Sequence, residues 1–190
     1  MKKLIMRILF VFLVFSAVSS AGFALELESV GFLSGYMSGD LKAQDDMEVV
    51  PIMATFGFDL KPFAEKFGIQ TKGILQMQIE PFISPIIEPS SNVEMGLATM
   101  FKYAFPLTET FMPYVKFGSG IYYFTLHTRE QSTQFNFASS AVAGFSWFFK
   151  KDISLDCEYR FRHVSNASIK SPNSGINTET LLMGVSFYFE

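Results

Sequence analysis

The sequence predicts an all-β chain, an eight-stranded antiparallel transmembrane β-barrel of the outer membrane preceded by a cleaved signal peptide. Three observations predict it. The N-terminus has the layout of an export signal. The chain is 49% hydrophobic and holds 23 Phe, yet after that leader it contains no unbroken apolar run long enough for a membrane helix. Apolar residues instead recur at every second position through most of its length.

The leader comes first. "MKKLIMR" carries Lys2, Lys3 and Arg7, "ILFVFLVFSAV" is an apolar core, and "SSAGFALE" supplies small residues. Cleavage is expected after Ala24, with Ala21 as the alternative, which leaves residues 25–190 as the barrel domain. A span of a ~30 Å hydrocarbon layer needs roughly 20 residues of helix, more than this core provides.

The strands follow in order. After "VGFLSGYM", the segment "EVVPIMATFGFDL" sets Val50, Ile52, Ala54, Phe56, Phe58 and Leu60 against Thr55, Gly57 and Asp59. "ILQMQIEPF" sets Leu75, Met77 and Ile79 against Gln76, Gln78 and Glu80. In "VEMGLATMFKYAF", "YVKFGSGIYYF" and "SSAVAGFSWFF" the apolar parity opposes Glu94, Lys102, Lys116 and small residues. "DISLDCEYRFRH" and "LLMGVSFYF" complete a count of about eight strands. A soluble sandwich would bury such aromatic faces against each other, whereas a membrane barrel turns them to lipid and fills a narrow lumen with small residues and paired charges. Strands of roughly 9 to 13 residues suit a tilted crossing. Tyr114, Tyr122, Phe124 and Phe148 fall on the inward parity and predict a filled interior.

The connections near residues 38–47, 84–92, 127–134 and 166–177 are polar and read as extracellular loops, while "PLTET" and "KKD" read as short periplasmic turns and residues 61–72 as a longer one. Cys157 has no second cysteine to pair with, and one cysteine with two histidines makes no zinc cluster; no cofactor is expected. A net charge of -3 gives no electrostatic case for nucleic acid.

One stretch breaks the outward apolar stripe. In residues 153–165, Ile153, Leu155, Cys157, Tyr159, Phe161, His163 and Ser165 share one parity, and Ser154, Asp156, Glu158, Arg160 and Arg162 share the other. A cation facing lipid costs about 2 to 4 kcal/mol at mid-membrane, so the arginines belong in the lumen and His163 and Ser165 point outward. Asn177 and Glu179 lie outward on the following strand, adjacent across the hairpin. A serine, a histidine base and a third group that orients the imidazole are the parts of a serine hydrolase. A polar pair at a wet strand end is the blander description, since polar penalties fall to roughly 0 to 1 kcal/mol near the interface.

The stretch "HVSNASIKSPNSGIN" resembles the signature of the lipid A deacylase family, PagL-like outer-membrane acyloxyacyl hydrolases, in which His-x-Ser-Asn-Ala precedes a Pro-Asn-x-Gly turn. The resemblance implies a serine esterase that removes an ester-linked acyl chain from lipid A, the lipid anchor of lipopolysaccharide, in the outer leaflet and needs no metal. It implies Ser165 as nucleophile and His163 as general base. Asn166, Asn173 and Gly175, with nearby backbone N–H groups, become candidates for substrate positioning or an oxyanion hole. The family carries a glutamate two residues after the turn glycine, where this chain has Asn177, and Glu179 follows two residues later. Three alternatives stand: Asn177 orients His163 as an amide, Glu179 does so after a register change, or the triad is incomplete. The competing class is a non-enzymatic small barrel, an adhesin or a protective or structural surface protein. Whether the barrel forms a homodimer stays open.

Overall fold

The computed structural model describes residues 25–41 and 46–189. The expected signal peptide therefore lies outside the described residues. The strands are β1 (Leu27–Asp40), β2 (Met47–Val49), β3 (Ile52–Asp59), β4 (Ile74–Glu88), β5 (Asn92–Ala104), β6 (Phe111–Phe124), β7 (Phe135–Lys150), β8 (Ile153–Ser165) and β9 (Ile176–Tyr188), with one short helix, α1 (Lys61–Lys66), between β3 and β4.

All pairings are antiparallel and neighbours in sequence are neighbours in space, with β1 pairing β9 to close the ring. β2 and β3 are one stave of that ring. β1 pairs β2 through Met37↔Val49 and β3 through Ser34↔Ile52, so the stave runs on across Val50 and Pro51. Proline has no N–H to give to a ladder and interrupts the strand there. Nine strand segments thus make the eight staves the sequence predicts.

Two connections differ from expectation. The polar stretch expected as a loop over 84–92 is mostly strand, because the alternation runs on past Pro85: Ser84 pairs Glu94 and Ile86 pairs Asn92, with Ser84 and Ile86 still inward. The longer turn over 61–72 contains α1, whose first turn accepts Pro62 because N–H groups there have no intrahelical partner. No described helix is long and apolar enough to cross a membrane.

The alternation sorts the side chains as a barrel requires. Outward Phe32 and Phe117 are 60% and 64% exposed, whereas inward Gln76 and Glu80 are fully buried. Tyr114, Tyr122, Phe124 and Phe148 do point into the lumen. Among the described residues the fully buried charges on the inward face of the strands are Lys102, Lys116, Arg160 and Arg162 against Glu80, Glu94, Asp156 and Glu158, four against four. Arg160 bridges Glu80 at 2.8 Å and Glu158 at 2.9 Å, and Lys116 also pairs with both carboxylates. Arg162 forks onto Glu94 at 2.9 and 3.1 Å and takes Thr178 with its Nε. Asp156 accepts from Ser146, Ser154 and Ser186. Buried charges persist only when paired and hydrogen-bonded, and this lattice of bonds spans the barrel from β4 and β5 to β8.

Candidate active site

β8 and β9 form the hairpin that builds the site. Its register pairs His163 with Asn177, Val164 with Ile176 and Phe161 with Glu179. His163 and Asn177 are both exposed on the outer wall, while Val164 and Ile176 between them face inward and are buried. Directly opposed side chains on one face have Cβ atoms about 4.5 to 5.5 Å apart, close enough for short polar groups to bond. Here Nδ1 of His163 lies 2.6 Å from Oδ1 of Asn177. An amide oxygen only accepts, so the bond places the proton on Nδ1 and leaves the Nε2 lone pair free.

Ser165 is the next residue on the same face of β8, half-buried and opposite Phe137 of β7. Two residues of strand rise about 7 Å, which puts Ser165 on the same outward stripe as His163. Glu179 sits one step down β9 from Asn177 and engages the Tyr159 hydroxyl. The structure thus brings His163 and Asn177 together and holds Glu179 with another partner.

The loop joining β8 to β9 is shaped around the imidazole. Gly175 has a φ of +76°, a left-handed backbone, and a Cβ built on it would stand 2.5 Å from Cε1 of His163. Glycine serves on both counts, since it accepts positive φ and leaves room for the ring. Asn166 is fully buried, with its backbone N–H given to Oδ1 of Asn173 at 2.9 Å and its amide nitrogen to the Lys170 carbonyl at 2.7 Å and the Ser132 hydroxyl at 3.2 Å. Asn166 and Asn173 therefore fasten the loop to itself and to residues 130–132. Ala167 and Ser168 follow with φ of 52° and 62°, and their backbone N–H groups donate to no described residue.

The sequence reading missed the part played by residues 130–132, the loop between β6 and β7. Gln131 bridges Asn173, the Ser132 N–H donates to the Pro172 carbonyl at 3.1 Å, and the Ser174 N–H donates to the Glu130 carbonyl at 2.9 Å. Such backbone contacts between two loops leave no residue-type signal in either. Among the described residues no cluster of histidine, cysteine, aspartate and glutamate could hold a metal ion.

Residues 52–186 match the model of one protein family, described as lipid A 3-O-deacylase (PagL). The chain belongs to the lipid A 3-O-deacylase family. The match starts at β3, ends within β9, and contains all of β8 and the β8–β9 loop with His163, Ser165 and Asn177. Solved structures carry the same fold. The outer membrane enzyme PagL superimposes with a TM-score of 0.63 at 19% identity, covering 82% of this chain and 97% of that one. Neisserial surface protein A gives 0.65 at 12% identity, covering 85% and 96%. The attachment invasion locus protein Ail of Yersinia pestis gives 0.51 at 11% identity, covering 86% and 100%. A search of curated protein sequences found no match. Membership of the PagL family makes the protein a lipid A deacylase by class, with an outer-membrane location.

Proposed function

We propose that this protein is an outer-membrane serine esterase that hydrolyses an ester-linked acyl chain of lipid A, the 3-O chain by the family's description, at a site on the lipid-facing outer wall near the extracellular end of β8. The observation that carries the reading is the 2.6 Å contact of His163 Nδ1 with Asn177 Oδ1, on the wall that also bears Ser165. Asn177 fills the place of the family's glutamate, and its amide oxygen holds the tautomer in which Nε2 is the base.

Ser165 Oγ attacks the ester carbonyl while His163 Nε2 takes its proton. The N–H groups of Ala167 and Ser168, unengaged in the described structure, are the donors for the oxyanion that forms. Collapse breaks the bond to the sugar oxygen, which leaves with the proton from His163. A water deprotonated by His163 then cleaves the acyl-serine, releasing a fatty acid and restoring Ser165. The histidine base contributes about 10²- to 10⁴-fold in rate. Asn166 and Asn173 hold the loop that carries these N–H groups, and Gly175 seats the imidazole.

The test is Ser165→Ala in protein refolded into vesicles that contain fully acylated lipid A. Heat-modifiable migration stays that of the folded barrel, and the loss of one acyl chain seen by mass spectrometry with the wild type disappears. Unchanged lipid A mass with the wild type would sink the esterase reading and leave the non-enzymatic barrel. A mass gain in another lipid would replace hydrolysis by acyl transfer.

A further inference from the structure

We infer that Asp40 of β1 is the carboxylate of this site, acting through Asn177 as a positioning residue. The inference rests on the esterase reading for its catalytic meaning and on register for its geometry. Where the β1–β9 pairing closes the barrel, Asp40 lies directly opposite Asn177, and on the other side of Asn177 lies His163. The three residues stand in a row on three adjacent strands, all exposed on the outer wall. Directly opposed Cβ atoms on adjacent strands are about 4.5 to 5.5 Å apart, so the register sets Asp40 and Asn177 side by side on the outer wall.

The chemistry of the amide makes this row directional. An asparagine presents an oxygen on one side and an NH₂ on the other, and left alone next to an imidazole it can offer either. With the NH₂ toward the ring, Nδ1 becomes the acceptor and the proton moves to Nε2, which removes the base. In the serine protease template, an asparagine in place of the orienting acid costs about 10⁴-fold in rate for this reason. An ionised carboxylate accepts only. Asp40 on the far side therefore selects the amide orientation with NH₂ toward itself and oxygen toward His163, the orientation seen in the 2.6 Å contact. The charge that the family carries at position 177 is thus displaced by one strand and transmitted by an amide.

Among the described residues no other charged group stands opposite His163 or Asn177 in the register. From β7, His163 is faced by Ser139, and its outward neighbours on β8 are Phe161 and Ser165. On β9, Glu179 is opposite Phe161 and bonded to Tyr159.

The chain has two histidines, so ¹⁵N spectra of the imidazoles can be assigned by comparison with His127→Gln. The wild type in detergent micelles is expected to show His163 in the Nδ1–H tautomer, and Asp40→Asn to show a mixture with Nε2–H. Lipid A deacylation by Asp40→Asn falls about 3- to 10-fold in kcat with little change in KM, the scale of one lost orienting hydrogen bond. In Asn177→Glu protein, whose carboxylate has no NH₂ to misplace, Asp40→Asn brings no loss. Asp40→Ala repeats both comparisons in case the new amide pairs with Asn177. A tautomer and kcat unchanged in both Asp40 variants, with wild type active and Ser165→Ala inactive, overturn the role of Asp40 and leave the esterase reading standing. A tautomer that follows Asp40 in protein that cleaves no lipid A upholds the positioning and overturns the esterase.

Discussion

The two faces of β8 carry polar side chains at consecutive positions and treat them in opposite ways. On the inward face Glu158, Arg160 and Arg162 are each held by two or more partners drawn from β4, β5, β6, β9 and β8 itself. On the outward face His163 has one bond, to Asn177, which leaves its second ring nitrogen free. The inward face shows what burial demands of a charge, an opposite charge within bonding distance, although Nε of Arg160 stays without a partner. The outward face leaves Nε2 of His163 unfilled, and an unfilled acceptor is what a substrate can use. The same strand therefore carries a packed ion network on one side and the proposed reactive site on the other, separated by the thickness of a single sheet.

Substitutions on each face should break this division differently. The largest effect is expected inside. Glu158→Ala removes the carboxylate shared by Lys116, Arg160 and Tyr114 and leaves two buried cations to Glu80 alone. Loss of one partner of a buried pair costs about 3 to 5 kcal/mol, to be read as a lower urea midpoint for unfolding from vesicles. Deacylation per folded molecule should stay near wild type, and a rate that fell in step with stability would mean that the two faces are coupled. Next comes Gly175→Ala on the outer side. The added methyl displaces the His163 ring, and a misplacement of about 1 Å costs on the order of 10² in kcat, with folding retained. The smallest effect is expected for Ser132→Ala, which removes one hydroxyl acceptor from the Asn166 amide. A change of about 1 kcal/mol in the protection of the 166–175 loop, measured by hydrogen exchange, should appear there and not in the lumen strands.

Parity made much of this readable from the residues. Because side chains alternate, the placement of Arg160 inward and His163 outward followed from spacing alone, as did the adjacency of Asn177 across the hairpin. What spacing could not supply was the partner of each inward charge. Arg160 meets Glu80 and Arg162 meets Glu94 across the lumen, 80 and 68 residues away, and such a meeting depends on barrel diameter and stagger. Asp40 was overlooked for the same reason, since its neighbour is fixed only by the register in which β1 closes on β9. Residues 130–132 escaped because their clasp on the 166–175 loop is mostly backbone. The expected loop over 84–92 was an error of composition over pattern: Pro85, Pro89 and the serines suggested a turn where Ser84 and Ile86 kept the inward beat of the strand.

The filled lumen has an electrical consequence. Among the described residues, Lys102, Lys116, Arg160 and Arg162 face Glu80, Glu94, Asp156 and Glu158 inside the ring, and a void of about 20 Å³ beside Arg160, Arg162 and Glu94 has room for a single water. An ion entering would have to displace a salt bridge without gaining a hydration shell. A planar bilayer doped with this barrel should keep its resistance, so the proposed deacylation would proceed without shunting the permeability barrier of the membrane that holds it.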